Sequence, residues 1–223
     1  MNIAIIPARK NSRRIKNKNI INFCGKPIIS YSLAVAKKSK LFDKIIVSTN
    51  CKKIKKLSYY YGADLVIDRK ENLSKNNVGI VDVMKDTIKI LFDNNINPSY
   101  VCCIFPASPN IDVRNLKKGF IKIKRKKKGF VFAAGETFQN FNDSFFFNQK
   151  ILTKVKELNI FKKYLSKKFY IDAGQFYWAK KKTWLNSKTT FIKESEICLI
   201  KKNKFVDINT YEDLEYASYL ANL

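Results

Sequence analysis

Histidine is absent from all 223 residues of this chain. That excludes Ser-His-Asp triads and Cys-His pairs, and with them the usual zinc sites. The five cysteines, Cys24, Cys51, Cys102, Cys103 and Cys198, show no CxxC spacing. They are expected to act as small hydrophobes in a reducing compartment. No apolar run approaches the ~20 residues of a membrane span, and no signal-peptide pattern precedes the first apolar segment, which predicts a cytoplasmic protein. Acidic residues are few as well, 18 against 44 Lys plus Arg, for a formal net charge of +26. Arginine is scarce among those 44, at positions 9, 13, 14, 69, 114 and 125 only, so the excess is lysine spread along the chain. A nucleic-acid binder would show a local stripe with arginine forks, so neither nucleic acid nor membrane is expected as a partner. Whatever chemistry occurs must use carboxylates, lysine, arginine, hydroxyls, backbone groups or a bound metal.

What is present is an alternation of short apolar runs and helical periods. Ile3 to Pro7 reads as a buried strand, and "PIISYSLAVAKKS" as a helix with Pro27 in its first turn. "KIIVST" (44–49) is a strand, and "KKIKKLSYYYG" a helix stopped by Gly62. Residues 79–93 place Val81, Met84, Ile88 and Leu91 on one helical face, and "YVCCIF" (100–105) is a strand ended by "PASP". This order predicts an α/β fold, a Rossmann-like, mostly parallel sheet with helices on both faces, as one domain over 1–223. The Lys-rich run 117–128 reads as a solvated helical face. Residues 129–170 break the rhythm with aromatic, alternating segments.

Ligands of such sheets collect beyond the carboxyl ends of the strands. The loop after the first strand, "ARKNSRRIKNKNI", carries Arg9, Lys10, Arg13, Arg14, Lys16 and Lys18 with no acid among them. Backbone N–H groups and cations of that kind suit a polyphosphate, although spacing alone leaves a solvated basic loop equally open.

"IIPARKNSRRIKNKNI" followed by "FCGKPIISYSLAVA" resembles the signature of the CMP-sugar synthetases, the acylneuraminate cytidylyltransferase family, whose pattern is P/L-A-R-x-x-S-K-x-x-x-x-K-N and then G-K-P before a helix. Ala8, Arg9, Ser12, Lys18, Asn19, Gly25, Lys26 and Pro27 match, and Arg13 stands where lysine is usual. "DAGQFYW" (172–178) looks like the pseudaminic acid branch. "VDINTYEDL" (206–214) resembles the family's D-I-D-T-P-E-D-L, with Asp207 kept and Asn209 at the second aspartate. Other departures are Lys10-Asn11 for Gly-Gly, Asn50 for an aspartate after "IVST", and Asn76 for an acid.

The resemblance implies a nucleotide-diphospho-sugar transferase fold and transfer of CMP from CTP to the anomeric hydroxyl of pseudaminic acid, with pyrophosphate released. Sialic or legionaminic acid, or a degenerate non-catalytic nucleotide-binding relative, are the alternatives. It implies catalytic roles for Arg9, Lys18 and Asp207, and Mg²⁺ (or Mn²⁺) on Asp207 and Asn209. Substrate contacts are implied for Ala8, Ser12, Arg13, Asn19, Arg69, Ser108, Asp172, Gly174 and Gln175. The implied partners are CTP, an acidic nine-carbon sugar and a second copy of the chain, with 129–170 as the dimerisation arm.

Overall fold

Ile3, Ala4, Ile5 and Ile6 are all fully buried, as a strand covered on both faces requires. They form the centre of β1 in a computed structural model that describes residues 1–12, 14–136, 145–148, 151–154, 168–201 and 205–221, with 145–148 and 151–154 as backbone. In chain order the strands are β1 (Asn2–Pro7), the two-residue β2 (Asn22–Phe23) and β3 (Lys26–Pro27), β4 (Lys44–Thr49), β5 (Leu65–Asp68), β6 (Tyr100–Ile104), β7 (Val131–Glu136), β8 (Phe145–Asn148), β9 (Ile151–Lys154), β10 (Tyr170–Lys180) and β11 (Glu196–Ile200). The helices are α1 (Ile29–Ser39), α2 (Lys52–Tyr60), α3 (Ile80–Asp93), α4 (Val113–Arg125), α5 (Lys181–Asn186) and α6 (Tyr211–Ala221).

Seven strands form one sheet in the order β11-β7-β10-β6-β1-β4-β5. β10 pairs antiparallel with both β6 and β7, while the other pairings are parallel. The expected mostly parallel sheet is therefore present, with one reversed strand inside it. Alternate residues of β1 serve opposite layers. Ala4 and Ile6 pack with Ile29 and Leu33 of α1, Ile54 of α2 and Leu116 and Ile123 of α4. Ile3 and Ile5 pack with Val81, Met84, Ile88 and Leu91 of α3 and Trp184 of α5. These four α3 residues are the face read from the sequence. Cys102 and Cys103 are buried one in each layer, and all five cysteines are free thiols.

A third, smaller cluster joins Ile15, Phe23, Ile28, Ala107, Ile208 and Ala217. It fastens the opening loop, the β2–β3 hairpin and the segment entering α6 to one another, and it is what positions the site.

Two local expectations differ in detail. Pro27 lies in β3, paired with Asn22 of β2, two residues before α1 begins at Ile29. Gly62 does follow α2, at φ 93°, with its N–H donated to the Tyr59 carbonyl at 3.0 Å. The Lys-rich run is largely α4, whose Leu116, Gly119 and Ile123 face inward while Lys122 pairs with Glu196 at 2.5 Å. Within 129–170, β8 and β9 form a separate antiparallel pair. The rest of the expected arm at 137–144, 149–150 and 155–167 lies outside the described residues. Among the described residues, no helix is long and apolar enough to cross a membrane.

Gly119 allows α4 to sit directly on β10, since a Cβ there would come 2.8 Å from the Phe176 ring and 3.0 Å from Trp178. Gly119→Ala is expected to destabilise the fold by about 1–3 kcal/mol, the cost of overpacking a filled core, despite alanine's better helix propensity. A lower midpoint in urea denaturation at unchanged slope checks this.

Candidate active site

The parallel strands β1, β4, β5 and β6 end on one edge of the sheet, and chain order reverses there because β6 returns to the far side of β1. Such a switch point opens a crevice between the two outgoing loops. A cleft of about 620 Å³ occupies it, lined among others by Pro7, Arg9, Ser12, Arg14, Lys18, Asn19, Arg69, Lys75, Asn76, Phe105, Ser108, Gly174 and Asp207. Five of these are cations and one is a carboxylate.

The loop after β1 is braced from several sides. The Ala8 N–H donates to the Ser48 carbonyl at 2.9 Å, and the Lys10 N–H donates to Asn50 Oδ1 at 2.9 Å. Asn50 Nδ2 in turn donates to both Glu71 carboxylate oxygens at 3.1 Å. An aspartate at position 50 could accept from Lys10 but would repel Glu71, so the amide suits this chain's neighbours. Asn19, almost fully buried, donates from Nδ2 to the Arg9 carbonyl at 2.9 Å. Arg9 reaches across the cleft to the Lys75 carbonyl at 3.2 Å.

Arg69, the residue after β5, is 7% exposed and donates to the Ser48 carbonyl at 2.6 Å and to Ser48 Oγ at 3.2 Å. Burial draws its guanidinium down to about 10, with Arg9 contributing in the same direction, and it stays cationic at neutral pH. Lys18 donates from Nζ to the Ile208 carbonyl at 2.5 Å. Desolvation lowers its pKa, Asp207 opposes that shift, and Arg14 and Arg9 add to it. Arg69, Arg9, Lys18 and Arg14 thus share one cleft, and the charge of Arg9 bears on both Arg69 and Lys18. Five cations against one cleft-lining carboxylate leave a net positive surface suited to a polyanion.

The second wall comes from the reversed strand. β10 is bulged between Asp172 and Tyr177. Asp172 Oδ1 accepts the Gly174 N–H at 3.0 Å, and Oδ2 accepts the Tyr177 hydroxyl. Burial raises the Asp172 pKa against those two bonds, and repulsion from Asp207 adds to the rise. Gly174 sits at φ 59°, and Ser108 Oγ donates to its carbonyl at 2.6 Å. A Cβ on Gly174 would lie 2.9 Å from Asp207 Oδ1. Glycine is thus required twice, for the left-handed backbone and for the approach of the carboxylate.

Of the residues expected at a site, Arg9, Ser12, Lys18, Asn19, Arg69, Ser108, Gly174 and Asp207 come together in the cleft. Ala8 is turned into the core. Asp172 holds the bulge with both carboxylate oxygens, and Gln175 is 2% exposed, its carbonyl accepting the Phe105 N–H at 2.9 Å. Asn209 lies beside the cleft, with Oδ1 accepting from Arg14 and Nδ2 donating to Asp207. Arg13 lies outside the described residues. Arg14, read from the sequence only as one of the loop's cations, and Lys75, not anticipated at all, also line the cleft. Ile15, one apolar residue inside a charged run, was the available signal for Arg14, because burying it turns its neighbours outward. Lys75 carries no comparable signal.

Among the described residues no three His, Cys, Asp or Glu side chains gather as a metal cage. Asp207 is the carboxylate that lines the cleft.

The chain matches the family model described as Cytidylyltransferase over residues 3–220. It is 34% identical over 226 residues to the pseudaminic acid cytidylyltransferase of Campylobacter jejuni subsp. jejuni serotype O:2, covering 98% of this chain and 95% of that one. It is 30% identical over 107 residues to the CMP-N,N'-diacetyllegionaminic acid synthase of Legionella pneumophila, covering 48% of this chain and 46% of that one. In structure it is similar to a CMP:2-keto-3-deoxy-manno-octonic acid synthetase complexed with CTP, at TM-score 0.71 and 12% identity, covering 99% and 98% of the two chains.

Gly174→Ala is expected to lose about 1–2 kcal/mol of stability from the left-handed backbone alone, and more from the clash with Asp207. Adding Asp207→Ala should return the clash component and leave the backbone component. Urea unfolding of the two variants and the parent measures both.

Proposed function

Because the chain belongs to the cytidylyltransferase family, we propose that it transfers CMP from CTP to the anomeric hydroxyl of pseudaminic acid, releasing pyrophosphate. The observation that carries this reading is that five cations share one cleft with Asp207 at the sheet's switch point. Three linked phosphates need several positive groups close together, and in this reading a divalent cation and the incoming hydroxyl would meet at Asp207. The choice of sugar is supported by identity to a pseudaminic acid enzyme along nearly the whole chain, whereas the legionaminic acid relative matches less than half of it.

The reaction needs no covalent intermediate, so a chain without histidine loses nothing. The anomeric oxygen attacks the α-phosphorus in line, the bond to the β-phosphate oxygen breaks, and the hydroxyl proton leaves. Arg9 and Lys18 neutralise the charge that develops on the α-phosphoryl oxygens and the departing pyrophosphate. Arg69, held rigid by Ser48, and Lys75 extend that field along the triphosphate. Asn19 fixes the backbone of Arg9, and Ser108 and Gly174 hold the wall on which Asp207 rests. One carboxylate fits a divalent cation of the Mg²⁺ or Mn²⁺ kind, which is commonly held by one or two carboxylates plus substrate phosphates. When bound, such an ion withdraws phosphate charge and makes a coordinated hydroxyl more acidic.

The working unit in this reading is a homodimer in the cytoplasm. Support for the dimer is that, among the described residues, β8 and β9 pair only with each other, and an isolated two-stranded hairpin is marginal without a surface to rest on. Free cysteines throughout fit a reducing compartment.

Pyrophosphate release should be selective for CTP, because a site built to pair with one base edge leaves buried polar groups unmatched by another. Equal turnover of UTP or ATP refutes the assignment. Arg9→Ala and Lys18→Ala should each lower the rate by ~10²-fold or more, as losing one preorganised donor does. Lys16→Ala, exposed on the same loop and outside the cleft, should change it little. Small and equal effects at all three would make the loop charge mere solvated surface.

A further inference from the structure

The Asn209 side chain is held between two charged partners. Arg14 Nη2 donates to its Oδ1 at 2.6 Å, and its Nδ2 donates to Asp207 Oδ2 at 2.7 Å. An amide has one accepting end and one donating end, so the two bonds together determine which way it points. The backbone beneath it is also held. The Asn209 N–H donates to Asp213 Oδ2 at 2.8 Å, the carboxylate that likewise accepts the Thr210 N–H at the start of α6, and Ile208 next door is buried. We propose that Arg14 and Asn209 are positioning residues that hold the Asp207 carboxylate in place before any metal arrives, Asn209 acting as a hydrogen-bond relay and not as a metal ligand. The kinetic consequences of this proposal rest on the cytidylyltransfer reading; its structural consequences do not.

The charges explain why an amide serves here. A carboxylate at position 209 would face Asp207 at hydrogen-bond distance, and without a cation between them the pair would repel. The amide replaces that repulsion with an attraction. Its oxygen is directed at a guanidinium, so Asp207 would hold a divalent cation without an oxygen from residue 209. Arg14 gains a defined place at the cleft through the same contact. Lys18, which donates to the Ile208 carbonyl, ties the opening loop to this segment a second time, so the relay joins two loops that are already fastened.

The test has two readouts. In metal-free and nucleotide-free protein, the Asn209 side-chain amide resonances, identified by their loss in Asn209→Ala, should shift in both Arg14→Ala and Asp207→Ala. Resonances unmoved in either variant overturn the relay. Pyrophosphate release should fall about tenfold in kcat in Arg14→Ala and in Asn209→Ala, the double variant should be no slower than the slower single one, and Arg14→Lys should recover most of the loss, as expected for coupled contacting residues. Mn²⁺ binding to the CTP complex, followed by the free-ion paramagnetic resonance signal, should stay within about twofold of the parent in Asn209→Ala, the scatter expected when no ligand is lost. A tenfold or greater weakening would make Asn209 a ligand and overturn the proposal, as would losses that multiply in the double variant. A parent that neither binds CTP nor releases pyrophosphate would refute the proposed reaction instead, with the amide shifts still deciding the relay.

Discussion

The site depends on the burial of two isoleucines distant in sequence. Ile15 and Ile208 are 0% and 1% exposed in the same small cluster, each flanked by polar residues. Withdrawing an isoleucine from water contributes roughly 1.5–3 kcal/mol, and at both places it orders more than itself. With Ile15 inside, Arg14 is turned outward. With Ile208 inside an extended segment, Asp207 and Asn209 project together on the other side. The contact therefore delivers the acidic segment to the basic loop, and the bonds from Arg14 and Lys18 follow from it.

Charge in this protein is managed by short-range bonding. A net charge of +26 would repel itself and a free cation alike, yet the cleft keeps a carboxylate directly among arginines and lysines. Two asparagines stand where the resembling enzymes commonly carry aspartate, and each does what a carboxylate cannot. Asn50 accepts from Lys10 and donates to Glu71, and Asn209 accepts from Arg14 and donates to Asp207. Each amide bridges two groups that keep their charge.

The reversed strand β10 supplies the other wall. Its bulge, held by Asp172 on Gly174 and Tyr177, presents a backbone without a side chain to Asp207. Asp172 and Tyr177 of "DAGQFYW" thus shape β10, and Trp178 and Phe176 anchor that shape beneath α4. Stability and the placement of the Asp207 carboxylate are coupled through one glycine.

Much of the fold was legible in the chain because its signals are local. Continuous apolar runs marked β1, β4 and β6, a 3.6-residue period marked the buried face of α3, and Gly62 marked the end of α2. The motif residues Arg9, Ser12, Lys18 and Asn19 were legible for the same reason, being close in sequence and matched as a block. The antiparallel course of β10 was not, since strand direction is set by which neighbours it finds in the sheet. Nor were the tasks of individual polar atoms. Asp172 was expected to contact sugar and is occupied within its own strand, and Asn209 was expected to hold metal while its oxygen faces Arg14. The sequence by itself determined the alternation of elements and the chemical types available at the sheet's edge. Only the tertiary structure decided which donor meets which acceptor, because a hydrogen bond acts over about 3 Å and the pairs that matter are separated by up to 195 residues of chain.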